Sequence, residues 1–103
     1  MVTEIVFFDL PRGTNRAEAL ALYRQSAGQW VNNPDLFEKY YFFDEERCLG
    51  GGVYVWRTRE AAKRWHGDAY RAMVEKRYGT PPRIEILEAL VRVDPTAKRV
   101  EEL

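Results

Sequence analysis

The sequence predicts an α+β fold, and two observations support that prediction. Short runs rich in aromatic and β-branched residues occur four times along the chain, each bounded by turn-forming residues. Between the first and second runs, and again between the third and fourth, apolar residues recur at helical spacings of three and four. The resulting order, βαββαβ, is typical of a ferredoxin-like unit, a four-stranded antiparallel sheet with both helices on one face. We expect residues 1–103 to form one such domain.

The first strand and the first helix are predicted near the N-terminus. The run Glu4–Phe8 is short, apolar and rich in β-forming residues, and Pro11–Gly13 ends it. Asn15 stands three residues before Glu18, which is the spacing of a capping box, where each side chain accepts a hydrogen bond from the other residue's backbone N–H. The helix that follows carries one apolar stripe. Its members are Leu20, Tyr23, Ala27 and Trp30.

A β-hairpin is predicted in the middle of the chain. Leu36–Phe43 has five aromatic residues in eight and is predicted as the second strand. The polar turn Asp44–Arg47 separates it from a third strand, Gly51–Trp56. The triplet Gly50–Gly52 is not expected to bind phosphate, because phosphate-binding loops lead into a helix and these glycines open a strand. We expect the triplet to permit a bulge or a close approach of neighbouring backbone.

A second helix is predicted after the third strand. Thr58 is a suitable N-cap, and Glu60 lies in the first turn, where the helix dipole favours an anion. Gly67 and Asp68 interrupt the pattern, which favours a kink or two shorter helices, and Gly79 is the expected C-cap. The predicted apolar stripe comprises Ala62, Trp65, His66, Ala69 and Met73.

The last strand is predicted over Ile84–Val93. Its apolar residues change parity between Ile86 and Ala89, which indicates a β-bulge. Asp94 and Pro95 end the strand. A charged tail or a short helix is expected to run from there to the C-terminus.

The aromatic content, 14% of the residues, predicts a homodimer. Nine of the fourteen rings lie on the first three strands, and neighbours such as Phe7 and Phe8 must face opposite sides of the sheet. Helices cover only one of those sides, so the other would be a large exposed apolar surface. A second copy packed sheet against sheet would cover it and enclose an aromatic-lined space for a small apolar or aromatic molecule. The alternative is a monomer whose C-terminal tail folds over the sheet.

Charge and cysteine content exclude several classes of partner. Sixteen Lys and Arg balance sixteen Asp and Glu, so neither nucleic acid nor an anionic membrane is an expected partner. One Cys and one His provide no cluster with metal-ligand spacing, and we expect no metal. The chain has no run of 18 apolar residues and no signal-peptide pattern, and the lone Cys48 fits a reducing compartment, so the expected location is the cytoplasm.

Five residues are candidates for chemistry, and each has a structural alternative. His66 is the only side chain that titrates near neutral pH without perturbation, so it could act as a base toward a phenol, or it is an ordinary helix-edge residue. Tyr41, Tyr54 and Trp56 have apolar rings with polar tips, which suit either an aromatic ligand or a dimer core. Lys39 would attract a phenolate or enolate if it pointed inward, whereas on an exposed sheet edge it would oppose aggregation.

Several segments together point to a known family. They are Gly51–Tyr54 at the entry to the third strand, Trp56–Ala62 after it and Ala89–Asp94 near the end, with Lys39 and Tyr41 on the second strand. In their order and spacing the chain resembles the dimeric α/β-barrel proteins of the antibiotic-biosynthesis monooxygenase superfamily, and it is most similar to the YdhR-like branch. The resemblance extends over nearly the whole chain.

The resemblance implies a homodimer with a pocket between the sheet and its own helices, or toward the barrel. It also implies oxidation of small aromatic or quinol-like substrates by molecular oxygen, without metal, flavin or other cofactor. The implied catalytic residues are His66 and Trp56, and the implied substrate contacts are Tyr41, Tyr54, Trp65 and Lys39.

One position departs from the family pattern. Many members carry a His nine residues after the strand-end Trp, whereas here that position is Trp65 and His66 follows it. One residue turns a helical side chain by about 100°, so His66 is expected to flank the pocket instead of facing it. Two further functions of the same fold stay open. One is a non-catalytic ligand-binding or stress-related dimer, and the other is an isomerase or lyase that works by proton transfer alone.

Overall fold

The order of strands and helices confirms the α+β fold, in a computed structural model that describes residues 1–103. The predicted second helix and the predicted last strand are each divided in two. The strands are β1 (Val2–Asp9), β2 (Leu36–Asp44), β3 (Leu49–Trp56), β4 (Arg83–Glu88), β5 (Val91–Asp94) and β6 (Arg99–Glu102). The helices are α1 (Arg16–Ala27), α2 (Arg59–Trp65) and α3 (Asp68–Tyr78), with a 3₁₀ turn over Gly28–Trp30. None of these helices has the length and apolar character needed to cross a membrane.

Four strands form one antiparallel sheet in the order β2-β3-β1-β4, which is the ferredoxin-like arrangement. The register places Glu4 opposite Tyr54, and Tyr54 opposite Lys39, so all three lie on one face. The helices cover this face. Its core combines residues of the central strands and the helices: Val2, Val6, Phe8, Leu10, Ala19, Tyr23, Tyr54, Trp56, Ala61, Ala62 and Val74.

The predicted helix ends are confirmed. Asn15 Oδ1 accepts a hydrogen bond from the Glu18 N–H at 2.9 Å, and the Glu18 carboxylate accepts one from the Asn15 N–H at 3.1 Å. Thr58 caps α2 through its hydroxyl. Gly67 separates α2 from α3, and Gly79 ends α3 with a φ of 90°, which glycine adopts without strain.

The helix faces that are buried differ from the predicted stripes. α1 buries Ala19 and Tyr23 and exposes Leu20. Small residues next to the sheet let a helix approach closely, so the large neighbour is turned outward. After the break at Gly67, α3 begins with a new rotation, and Val74 faces the sheet. The predicted members that lie exposed are Trp65, Ala69 and Met73.

The prediction of a single last strand over Ile84–Val93 is wrong. β4 pairs with β1, but the chain then leaves the sheet, and β5 pairs with β6 in a separate hairpin. The change in the parity of the apolar residues between Ile86 and Ala89 therefore marks the point where the chain leaves the sheet, and not a bulge. The predicted C-terminal tail or short helix is also wrong, because that segment forms β6. The Arg92 guanidinium joins the hairpin through Asp94 and Glu101, each at 3.3 Å.

The glycine triplet allows a close approach between α1 and β3, as predicted. A Cβ at Gly50 would lie 2.4 Å from the Tyr23 hydroxyl, and one at Gly51 would lie 1.9 Å from the Val6 carbonyl oxygen. The space lets the Tyr23 hydroxyl accept from the Gly51 N–H at 3.1 Å and donate to the Phe42 carbonyl at 2.8 Å. The only register shift in this hairpin lies between Leu36 and Glu38 on β2, so the bulge is not in the triplet.

Candidate functional site

A cavity lies between the covered face of the sheet and helices α1 and α3. It has a volume of about 80 Å³, which is more than a water molecule needs. Most of its lining is aromatic or aliphatic. The polar side chains that line it are those of Tyr23, Ser26, Gln29, Lys39, Tyr41, Tyr54, Tyr70, Arg77 and Tyr78.

Lys39 places a primary amine among three aromatic rings in this cavity. Its Nζ donates a hydrogen bond to the Tyr54 hydroxyl at 2.8 Å. The same nitrogen lies 3.8 Å from the centroid of the Tyr41 ring, 4.2 Å from that of Tyr54 and 4.5 Å from that of Trp30. Ring faces attract a cation, so the protonated amine has a defined place even without a carboxylate beside it.

Strand alternation explains why Lys39 points inward. Glu38 lies on the opposite face of β2, where its carboxylate accepts a hydrogen bond from the Tyr40 hydroxyl. Gly52 leaves room for the Tyr54 ring that the lysine contacts, because a Cβ there would lie 3.1 Å from that ring. Of the two sequence interpretations of Lys39, an inward side chain is therefore confirmed, and an exposed edge charge is wrong.

Burial changes the acid–base behaviour of Lys39. Removal from water disfavours the ammonium form and lowers the pKa of Lys39 to about 7, although the carboxylate of Glu4 acts in the opposite direction. Ammonium and neutral amine are then both populated near neutral pH. A lysine of this kind can take a proton from a bound acid, which an ordinary lysine cannot do at that pH.

The tyrosines around the amine stay protonated. Burial raises the pKa of Tyr70 to about 12 and raises the pKa of Tyr54 further above its ordinary value. The pKa of Tyr23 is also raised, mainly by burial. Tyr41 exchanges a 2.7 Å hydrogen bond with the hydroxyl of Ser26. Tyr23, Tyr54 and Tyr70 can therefore orient a ligand as neutral hydrogen-bond donors or acceptors.

A second polar group is buried behind the cavity. Glu4 is fully buried, and its Oε1 accepts a hydrogen bond from Trp56 Nε1 at 2.9 Å and contacts His66 Nδ1. The other carboxylate oxygen of Glu4 and Nε2 of His66 have no hydrogen-bond partner. The His66 ring lies against Tyr70 and Tyr54, with centroids 4.2 and 4.5 Å apart, so these tyrosines stand between it and the cavity.

Only part of the predicted site set comes together. Lys39, Tyr41 and Tyr54 line the cavity. Trp56 and His66 do not line it and belong to the buried group with Glu4. Trp65 lies outside, where its Nε1 donates to Asp35 at 3.3 Å and its ring packs edge-on against Trp30.

Sequence reasoning missed Glu4, Tyr70 and Trp30. Glu4 had a detectable signal, because it shares strand parity with Val6 and Phe8, so a regular β1 must bury its carboxylate. Trp30 also had a signal, since it belongs to the predicted apolar stripe of the first helix, whereas Tyr70 had none. The rotation of α3 after Gly67 and the 3₁₀ turn that carries Trp30 bring them to the cavity.

The opposite face of the sheet carries apolar side chains without a helix over them. Phe7 packs on Phe42 there, with ring centroids 5.3 Å apart. Tyr40 is 61% exposed and Leu87 is 53% exposed on the same face. The C-terminal hairpin lies near one end of this surface, where Arg92 approaches the ring of Phe37. The tail therefore covers only a small part of it.

Comparisons with protein-family models and with curated proteins found no match to this chain. What the cavity does has to be inferred from its own residues.

Proposed function

We propose that this chain is a cofactor-independent monooxygenase that acts on a small phenol or quinol bound in the cavity. The observation that carries the proposal is the position of Lys39: its amine lines an aromatic cavity, contacts the Tyr54 hydroxyl and is partly neutral near pH 7. We assign the role of base to Lys39 instead of His66, since the imidazole lies behind Tyr54 and Tyr70 and its Nδ1 already contacts Glu4.

The proposed reaction begins with a proton transfer. The neutral amine of Lys39 takes a proton from the substrate, and the Tyr54 hydroxyl orients the resulting anion. The anion transfers one electron to molecular oxygen, the two radicals combine, and the peroxide anion that they form takes the proton back from the Lys39 ammonium. Loss of water leaves a product with one new oxygen atom in place of two hydrogen atoms, and the second oxygen atom leaves as water. The substrate supplies all the electrons, so the reaction needs no cofactor.

The lining of the cavity suits this chemistry. Aromatic and aliphatic walls keep water from a reactive anion and accept neutral oxygen. The ammonium ion formed by proton transfer stays over the rings of Tyr41 and Tyr54, where it attracts the anion. Because the cavity of about 80 Å³ is smaller than the roughly 150 Å³ that holds benzene, the substrate can have one ring at most, and the cavity must widen to take it.

The test is oxygen incorporation from isotopically labelled oxygen gas. Purified protein is supplied with hydroquinone, catechol and, as a larger comparison, anthrone, and each product is analysed by mass spectrometry against a protein-free control. We expect labelled oxygen in the product of a single-ring substrate, and Lys39→Met should lower the rate by about 10²-fold or more, the usual contribution of a general base. His66→Gln should lower it less. Products without the label in every case would contradict the proposal.

A ligand-binding function without catalysis is the second candidate, and Trp30 is the observation that favours it. Its indole Nε1 is buried without a hydrogen-bond partner although the residue lines the cavity, and an acceptor on a bound ligand could satisfy it. Quenching of tryptophan fluorescence by a phenol, with no oxygen incorporation or isomerisation, would identify this function. Isomerisation of the ligand without oxygen would identify a proton-transfer enzyme instead.

We also propose that two copies of the chain form a homodimer. The uncovered face of the sheet, with Tyr40, Phe42 and Leu87, is the surface that a second copy would cover. The cavity lies on the other side of the sheet, so each copy would hold its own site.

A further inference from the structure

Lys39 has a reactivity that goes beyond the proposed oxygenation and does not depend on it. We infer that Lys39 is a Schiff-base-forming lysine, whose amine condenses with a small aromatic aldehyde or ketone bound in the cavity. The amine of Lys39 lies in the cavity, and no other lysine lines it. The chain has four lysines, and Lys63, Lys76 and Lys98 are all exposed to solvent.

Three contacts prepare the amine for a carbonyl compound. Nζ lies 3.8 and 4.5 Å from the ring centroids of Tyr41 and Trp30, and both residues line the cavity beside it. The Tyr54 hydroxyl lies 2.8 Å from Nζ. A carbonyl carbon in contact with Nζ would therefore have its oxygen near a neutral hydroxyl that can donate a hydrogen bond or a proton.

The condensation balances without an external reagent. The lone pair of the amine attacks the carbonyl carbon and forms the C–N bond, while the carbonyl oxygen receives a proton from Tyr54 and the nitrogen returns one to it. The carbinolamine then loses its hydroxyl together with the remaining amine proton as water. An imine between Lys39 and the former carbonyl carbon is left, and Tyr54 is restored.

The lowered pKa of Lys39 supports selectivity over the other lysines. With a pKa of about 7, roughly half of this amine is neutral at neutral pH. An ordinary lysine with a pKa near 10.4 has a neutral fraction about 10³-fold smaller at that pH. Even after the lower basicity has reduced its intrinsic nucleophilicity, Lys39 should react roughly tenfold or more faster than an exposed lysine.

The experiment traps the imine as a stable amine. The full chain is incubated at neutral pH with benzaldehyde and cyanoborohydride, which delivers a hydride to the imine carbon and leaves a secondary amine after protonation. Each modified residue then gains the mass of the aldehyde less one oxygen atom. Peptide mapping gives the rate at each lysine separately, and the α-amino group of Met1, which reacts with aldehydes in any protein, is counted by itself. Lys63→Met is the matched control for Lys39→Met.

We expect the label to appear first at Lys39, with its early rate exceeding those at Lys63, Lys76 and Lys98 by roughly tenfold. Lys39→Met should lose this fast phase, and Lys63→Met should keep it. The comparison of four lysines within the native chain remains decisive even if Lys39→Met folds poorly. Equal rates at all four lysines, or protection of Lys39, would overturn the inference. Oxygen incorporation is measured separately, so either proposal can fail alone.

Discussion

Burial of Lys39 links the stability of the fold to pH. Burial lowers the pKa of Lys39 from its ordinary value of 10.5 to about 7. Between these values the unfolded chain binds a proton that the folded chain does not, so stability rises with pH across the window. Below the folded pKa both states hold the proton, and the full cost of burying the charge is present.

We expect Lys39→Met to remove this pH dependence, because Met has a similar length and no charge. The variant should be more stable than the native chain at about pH 6, and its advantage should shrink as the pH is raised to about 9. Urea denaturation at each pH measures the free energy of unfolding. Lys63→Met should follow the native chain. A stability difference that is the same at both pH values would show that the Lys39 amine is not buried as an ionisable group.

For single residues, the sequence predicts which side chains share a face of the sheet better than it predicts how deeply each side chain is buried. Lys39 and Tyr41 share strand parity, so their common face was predictable. Which of Trp65 and His66 faces inward was not predictable, because a break at Gly67 leaves both rotations plausible until the helices pack. Ala61 and Ala62 are small and buried, so α2 can approach the sheet closely. In this arrangement His66 is the residue that faces inward.

At the scale of elements, the contact between α1 and β3 is sensitive to a single methyl group at Gly50. In Gly50→Ala the new Cβ would lie 2.4 Å from the Tyr23 hydroxyl, so we expect a loss of about 1–3 kcal/mol in stability. Gly28→Ala is the control, since nothing lies within 4 Å and its φ is −61°. That variant should gain about 0.5 kcal/mol. Denaturation curves compare the two, and equal effects would contradict the close approach.

Local sequence signals determine where the helices begin and end, and these positions were predicted correctly from the sequence. The capping box at Asn15 and Glu18, the Thr58 cap and the Gly79 end depend on contacts within one turn. The division of the last predicted strand could not be predicted from the sequence, because the strand that pairs with β5 comes from a segment whose sequence looks like a charged tail. The pairing of Val93 with Val100 and the ion pairs of Arg92 create that hairpin only after both strands are in place.

For the whole molecule, the uncovered sheet face predicts self-association. We expect sedimentation of the native chain at micromolar concentration to give twice the monomer mass of 12.1 kDa. Tyr40→Glu places a charge on this face and should give monomers. Val31→Glu is the control, since Val31 is 80% exposed and lies after the 3₁₀ turn, beside Trp30 at the edge of β2 and not on the uncovered face, and it should stay dimeric. A native chain that sediments at 12.1 kDa would contradict the dimer.

The measurement that tests the central claim most directly is a titration of the four lysines by NMR, with ¹³C at the carbon next to each amine. We predict one signal with a midpoint at about 7, well below the ordinary value of 10.5, and we expect that signal to be absent from Lys39→Met. Glu4→Gln should move the first midpoint lower, because the Glu4 carboxylate favours the ammonium form. Four midpoints near the ordinary value would contradict the claim that the cavity holds a reactive amine.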